Sequence, residues 1–145
     1  MTCSNKTRMP DAEVLLSEPI VWGGARGGCA HLREPLPVSL WEEGCAWRAG
    51  ALDALARVGR QYRIAYMSAH TAGQRSAILA DLAVAPLPRS FVSGDVVVLG
   101  PESGLPDIGT YEIAMLVAPD ASAPVLAAAD HIRATFAAFA ETGKF

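Results

Sequence analysis

Lysine is almost missing: Lys6 and Lys144 are the only two in 145 residues, and the other ten basic side chains are arginines with no clustered run. Through Tyr66, eight basic residues stand against seven acidic ones, and beyond it four stand against eight, so the balance moves from +1 to −4 within a total of −3. Neutralising phosphates along a nucleic acid takes a basic stripe. None is present, so direct nucleic-acid binding by this chain is not expected. Cysteine is scarce too. Cys3, Cys29 and Cys45 are odd in number, widely spaced and without a CxxC, which argues against a disulfide framework and a zinc cage. His31, His70 and His131 lie outside any HExxH or HxxxH pair, so no metal site is expected.

Catalytic signatures are also lacking. There is no GxSxG and no Walker-type or dinucleotide-type glycine loop. The stretch "WGGARGG" has the glycines but neither the Gly-Lys-Ser/Thr ending nor a helix directly after it. Ser68 and His70 lie two apart, with Asp81 at the far end of the following helix, which builds no triad. Glu42 and Glu43 are adjacent and point differently, a poor acid and base pair. No catalytic residue and no cofactor is expected, and the chain is not read as an enzyme. No apolar run approaches the length of a membrane span. "MTCSNKTRMP" lacks the basic start and apolar middle of a secretory signal, so the expected compartment is the cytoplasm.

What is present suits a globular domain. Half the residues are hydrophobic (51%) and 19% are charged, and 145 residues can bury a core without cross-links. Residues 1–12 read as an N-terminal lead-in, frayed from Met1 to Pro10. An apolar segment at Val14–Leu16 precedes a stronger one at Ile20–Trp22, which Gly23 and Gly24 bring to a turn. "ARGGCAHLREPLP" reads as loop, and Val38–Trp41 as one helical turn. In "CAWRAGALDALARVG", Trp47, Ala51, Leu55 and Val58 recur at helical spacing, with Arg48, Asp53 and Arg57 on the other face. An Asp53–Arg57 pair would add about 0.3 kcal/mol, and Gly59 stops the helix.

The stretch "YRIAYM" then reads as a strand, a helix runs from about Thr71 to Leu82, and "AVAPLP" is a second strand. So short a crossover implies parallel pairing. "DVVVLG" and "YEIAMLVAP" are further strands. The last helix opens at Pro124 and carries Val125, Ala129, Ile132, Phe136 and Phe139 along one stripe, with Gly143 at its end.

At the junction "SAHT", the apolar strand "YRIAYM", expected to be buried, hands over to a helix. In open α/β sheets, ligands sit where the carboxyl ends of parallel strands meet helix N-termini. Thr71 and Gln74 have capping-box spacing, which by itself means only a well-capped helix. The alternative is that free N–H groups and the positive end of the dipole take a carboxylate or similar anion, with Ser68 and His70 beside it. Spacing leaves both open.

The order "EPIVWGG", "PLPVSLWEEG", "ALDALARVG", "RIAYMSAHTAGQRSAILADLAVAPLPRS", "VVVLG", "YEIAMLVAP" resembles the effector-binding domain of LysR-type transcriptional regulators. The family's strand, Ser/Thr-rich turn and helix end in a pattern with two glycines before Leu-Pro. Here Leu87-Pro88 matches, and Asp81 and Ala83 stand where the glycines would be. The resemblance implies an α/β, periplasmic-binding-protein-like fold of type 2, mainly its second subdomain plus the C-terminal crossover segment. It divides the chain into the lead-in, residues 13–122 as the second subdomain with crossing strands, and 123–145 as a helix returning towards the first subdomain. No counterpart of the helix-turn-helix is found in the chain, so it is read as a truncated regulator.

Carried over residue by residue, the resemblance implies that Ser68, His70, Thr71 and Gln74, with Trp22, Gly23 and Gly24 from the crossing strand, contact a small-molecule effector. On the ligand-contact reading of the helix start, an anionic effector would suit it. The expected function is ligand sensing for a transcriptional regulator, DNA being reached only through the missing helix-turn-helix and no membrane being involved. Because the family pairs its effector domains, a homodimer is expected, and the alternative is a dimerising fragment that modulates full-length relatives. A third reading makes Cys45 a redox thiol, since it precedes a helix with Arg48 one turn on; packing as an inert thiol is its plainer role. Trp41 and Trp47 flank "EEGCA" and read as core anchors rather than an aromatic cage.

Overall fold

The computed structural model describes the backbone of Cys3–Ser4 and all of residues 10–142. In chain order the elements are β1 (Cys3–Ser4), β2 (Glu13–Ala25), β3 (Leu36–Leu40), α1 (Ala46–Arg57), β4 (Tyr62–Met67), α2 (Thr71–Leu79), β5 (Ala85–Pro88), β6 (Val96–Val98), β7 (Thr110–Met115) and α3 (Ala123–Thr142). Single 3-10 turns lie at Ala30–Leu32, Arg89–Phe91 and Pro101–Ser103. The chain forms two compact units, residues 19–110 and residues 1–18 with 111–145.

In the 19–110 unit, β3 is the centre. Its residues Leu36, Val38 and Leu40 are fully buried, and so is Ser39. One edge pairs in parallel with β4, from Leu36 opposite Tyr62 to Leu40 opposite Met67. The other edge meets Val84 just before β5, again in parallel: Ser39 N–H donates to Val84 C=O at 2.8 Å and Val84 N–H to Pro37 C=O at 3.0 Å. The expected parallel β4-α2-β5 crossover is therefore present, with β3 between its two strands. Val38–Leu40 does not make the expected helical turn. A segment with backbone partners on both edges and side chains buried on both faces is held extended, whatever its local preference.

β5 pairs antiparallel with β2, from Ile20 opposite Pro88 to Gly23 opposite Ala85, and β2 pairs again with β6, from Gly23 opposite Val98 to Ala25 opposite Val96. The two apolar segments expected before Gly23 thus form a single 13-residue strand that runs through the glycines. These glycines serve packing rather than a turn. A Cβ on Gly24 would lie 2.8 Å from Leu99 Cδ1, and one on Gly23 3.1 Å from Leu87 Cδ1.

β4 corrects another expectation. Five of its six residues are exposed, so the apolar strand "YRIAYM" is an edge and not a buried element. In α1 the buried stripe is Ala51, Ala54 and Leu55; Val58 caps the helix and is exposed, while Gly59 ends it at φ +65 as expected. Arg57 donates to the Asp107 carbonyl at 2.9 Å, and the Asp53–Arg57 pair does not form.

Past the end of α2, Asp81 adopts the left-handed backbone, φ 51, at a position where the family pattern has glycine. Asp is one of the few side chains that tolerate it. Its carboxylate accepts the Cys29 N–H at 3.1 and 3.0 Å and the Ala30 N–H at 3.0 Å. Arg33 reaches the same carboxylate at 3.2 Å and the Asp81 carbonyl at 2.8 Å. The segment after β2 is thereby pinned to the end of α2.

In the other unit, β7 lies between β1 and β2, with Cys3 opposite Ile113 and Ser4 opposite Glu112 in antiparallel register. The Tyr111 hydroxyl donates to Glu18 Oε1 at 2.5 Å, and Arg133 bonds Glu13 and Asp130, each at 2.7 Å. On α3, Ala129 and Phe139 are buried, but Val125 and Ile132 of the expected stripe are 50% and 43% exposed. The rest of the lead-in and the expected stop at Gly143 lie outside the described residues. No described helix is long and apolar enough to cross a membrane.

Asp81 yields a stability test with a defined pH window. Partial burial alone would raise its pKa; the hydrogen bonds from Cys29 and Ala30, the Cys29 thiol and the Arg33 charge outweigh that and hold it below its ordinary value. A carboxylate depressed on folding contributes stability above its unfolded-state pKa, and that contribution is lost as pH falls through the lower folded value. Asp81→Ala should lower stability at pH 7 by about 2–3 kcal/mol, the cost of orphaned donors and a strained backbone, and Asp81→Gly should recover about 1 kcal/mol of it. In urea titrations the gap between wild type and Asp81→Ala should persist down to about pH 4 and close below it. Equal midpoints at pH 7 would refute this role.

Candidate ligand-binding site

The carboxyl ends of β3, β4 and β5 point the same way, and each releases a polar or aromatic residue there: Trp41 after β3, Ser68 after β4, Arg89 after β5. The Ser68–Thr71 turn is open at this end. Ser68 and Thr71 are half-buried and His70 is exposed. The Ser68 hydroxyl accepts the His70 N–H at 3.1 Å, and a Cβ on Gly73 would run into that hydroxyl, so the glycine lets Ser68 settle on the first turn of α2.

The expected capping box does not form. His70, with extended backbone, is the residue before the helix, and no side chain caps it. Thr71 is already helical. Gln74 is fully buried and faces β3, where its Oε1 accepts the Ser39 hydroxyl, while its Nε2 donates to the Ser68 carbonyl at 2.8 Å. Burial decides this outcome: Ser39 has no access to water, and an unsatisfied buried hydroxyl costs more than a missing cap. Gln74 therefore fixes the turn from below.

The His70 carbonyl accepts the amides of Gly73 and Gln74 at 3.0 and 3.2 Å. The two amides before them, Thr71 and Ala72, have no acceptor among the described residues, nor does the Thr71 hydroxyl. A nine-residue helix thus presents the positive end of its dipole with two free donors.

Trp22, Gly23 and Gly24 are all buried. The Trp22 indole donates to the Pro106 carbonyl at 2.9 Å. A Cβ on Gly23 would touch Leu87, Ile78 and Val96, and one on Gly24 Leu99. These partners lie on α2, β5, β6 and the stretch after β6, and none belongs to the Ser68–Gln74 turn.

Cys45 stands immediately before α1, half-buried, as expected. Arg48, the cation of the redox reading, is turned elsewhere: to the Trp41 carbonyl at 3.0 Å, the Met67 sulfur at 3.3 Å and Glu43 at 3.9 Å. Trp41 and Trp47 meet edge to face, 5.0 Å between ring centres, in the manner of core anchors.

Sequence reasoning passed over two residues. Ser39, buried beneath α2, carried no signal, since one serine in an apolar run has many explanations. Arg89 is exposed and its side chain has no partner among the described residues. Its signal was topological: it follows "APLP" at a strand's carboxyl end, just as Ser68 follows "RIAYM".

A model of the LysR substrate binding domain matches residues 6–137. The HTH-type transcriptional regulator DgdR of Burkholderia cepacia is 32% identical over 124 residues, covering 84% of this chain and 42% of that protein. The regulator PecT of Dickeya dadantii (strain 3937) is 28% identical over 108 residues, covering 74% and 34%. The chain spans less than half the length of these curated relatives. Among solved structures, the apo regulatory domain of HypT from Salmonella typhimurium superposes with a TM-score of 0.72 at 15% identity, over 94% of this chain and 71% of that one. The effector-binding domain of QuiR in complex with shikimate gives 0.60 at 17%, over 91% and 68%. The fold is the periplasmic-binding-protein-like α/β fold of type 2, and the chain belongs to the LysR substrate-binding domain family.

Proposed function

We propose that this chain is the effector-sensing part of a LysR-type transcriptional regulator, and that its effector is a small anion, a carboxylate in particular. One observation carries the reading. The N-terminus of α2 offers the amides of Thr71 and Ala72 at the same end of the sheet as the guanidinium of Arg89, all three without a partner among the described residues, which suits an oxyanion. Ser68, His70 and Thr71 supply the side-chain contacts, and Gln74 holds the turn through Ser39 and the Ser68 carbonyl without touching the ligand. Trp22, Gly23 and Gly24 shape the strand beside α2. Residues 13–122 stand for the second subdomain of the family, and 123–145 for the helix returning towards the first. DNA is reached in the cytoplasm through a DNA-binding domain of the full-length regulator, and binding biases that regulator by favouring one of its conformations.

A thermal-shift panel of small carboxylates, shikimate among them, tests this. At least one should raise the melting temperature saturably, and Arg89→Gln and Thr71→Val should each weaken it about tenfold, the scale of one lost charge-assisted hydrogen bond. A panel with no responding carboxylate would count against an anionic effector. Gln74→Leu should cost about 1–3 kcal/mol of stability, since Ser39 is left buried and unpaired, and should also abolish the ligand-dependent shift. Unchanged stability would mean that the Ser39–Gln74 link is not formed.

The second reading, a dimerising fragment, is favoured by β4. Tyr62, Ile64, Tyr66 and Met67 are 40–54% exposed on a strand with one paired edge, a combination that soluble proteins avoid unless the surface is used. Sedimentation of wild type and Ile64→Lys at matched concentration separates the readings. A dimer that the charge dissociates and that responds to no carboxylate of the panel supports the second, and a wild-type monomer rejects it.

A further inference from the structure

We propose that the Gly28–Arg33 segment is a receptor for a small carboxylate, and that the chain fills it with its own Asp81. The donors converge as they would on a free anion. Cys29 N–H reaches both carboxylate oxygens at 3.1 and 3.0 Å, Ala30 N–H reaches Oδ1 at 3.0 Å, the Cys29 thiol reaches Oδ2 at 3.3 Å and Arg33 closes on Oδ2 at 3.2 Å. Two successive backbone amides and a guanidinium around one oxyanion form a recurring anion-binding arrangement. Gly28 completes the cradle, since a Cβ there would lie 2.5 Å from Oδ1.

Two features set Asp81 apart from an ordinary surface ion pair. Its side chain is only 27% exposed, with every donor aimed at it. Its backbone is held at φ 51, a conformation that costs free energy in any residue other than glycine. The chain bears that cost to deliver the carboxylate. With glycine at position 81, as in the family pattern, the same donors would have no internal anion. Receptor and anion lie on the segments that leave β2 and α2, so the tether joins the two stretches that carry Trp22–Gly24 and Ser68–Gln74. The effective concentration of the tethered group keeps external anions out. This inference is independent of the effector reading.

Chemical rescue tests it. Asp81→Gly removes the carboxylate and the backbone strain together, which leaves the receptor open. Melting temperatures are compared in sodium chloride and sodium formate at equal ionic strength. The variant should gain about 3–6 °C, saturably, at formate near tenfold its dissociation constant, and wild type should not respond beyond the salt effect. Adding Arg33→Gln to Asp81→Gly should remove the gain. If Asp81→Gly does not fold in chloride, recovery of its circular dichroism on formate titration reads the same binding event, and no recovery overturns the proposal. It is equally overturned if wild type and Asp81→Gly respond alike, or if the gain survives without Arg33.

Discussion

The 19–110 unit depends on the complete burial of β3. A strand with no exposed position must satisfy every backbone group through its neighbours and every side chain through packing. The apolar positions Leu36, Val38 and Leu40 do so with the core. Ser39 cannot. Its hydroxyl needs an acceptor inside the protein, and Gln74 supplies one by turning inward from α2. The Gln74 amide then reaches the Ser68 carbonyl, so the demand of one buried hydroxyl is passed to the turn that starts α2. Burial, a buried polar link and the position of a surface turn are successive consequences of one constraint.

The same chain of causes marks what could be read from sequence. The α/β class, the parallel crossover, both ends of α1 and the strand-turn-helix at Ser68 were legible, because they rest on local periodicity and on Gly and Pro punctuation. Val38–Trp41 was not, since four residues hold too little pattern to separate a strand from a helical turn, and the decision was made by Val84 and β4 from outside the segment. The exposure of β4 was hidden for a related reason. An apolar strand reads as buried, but burial is a property of what lies beside it, and among the described residues β4 has a strand on one side only.

Positions where residue type departs from expectation follow a second rule. Glycine at 81 would be the cheapest way to leave a helix in the left-handed conformation, and Asp81 keeps that conformation while adding a carboxylate. The structure shows the geometry retained and a new set of hydrogen bonds gained, to Cys29, Ala30 and Arg33, from a segment whose glycines had read as plain loop. Gly23 and Gly24 invert the lesson. Paired glycines after an apolar run read as a turn, yet here they lie inside β2, just before its end, where a Cβ on Gly24 would collide with Leu99 and one on Gly23 would press on Leu87.

The capping box shows how a failed local motif bears on the site. Had Thr71 capped α2 and Gln74 reached back, the spacing "TAGQ" would have consumed the donors at the helix start and closed it to ligands. Because the core claims Gln74 and the helix begins at Thr71 itself, the first two amides and the threonine hydroxyl keep no partner among the described residues. A free helix N-terminus is costly unless water or a ligand completes it, and this one opens at the carboxyl ends of three parallel strands, the end at which Arg89 also stands without a partner among the described residues. The packing requirement that removes Gln74 from the surface is therefore what leaves the turn's polarity available for recognition.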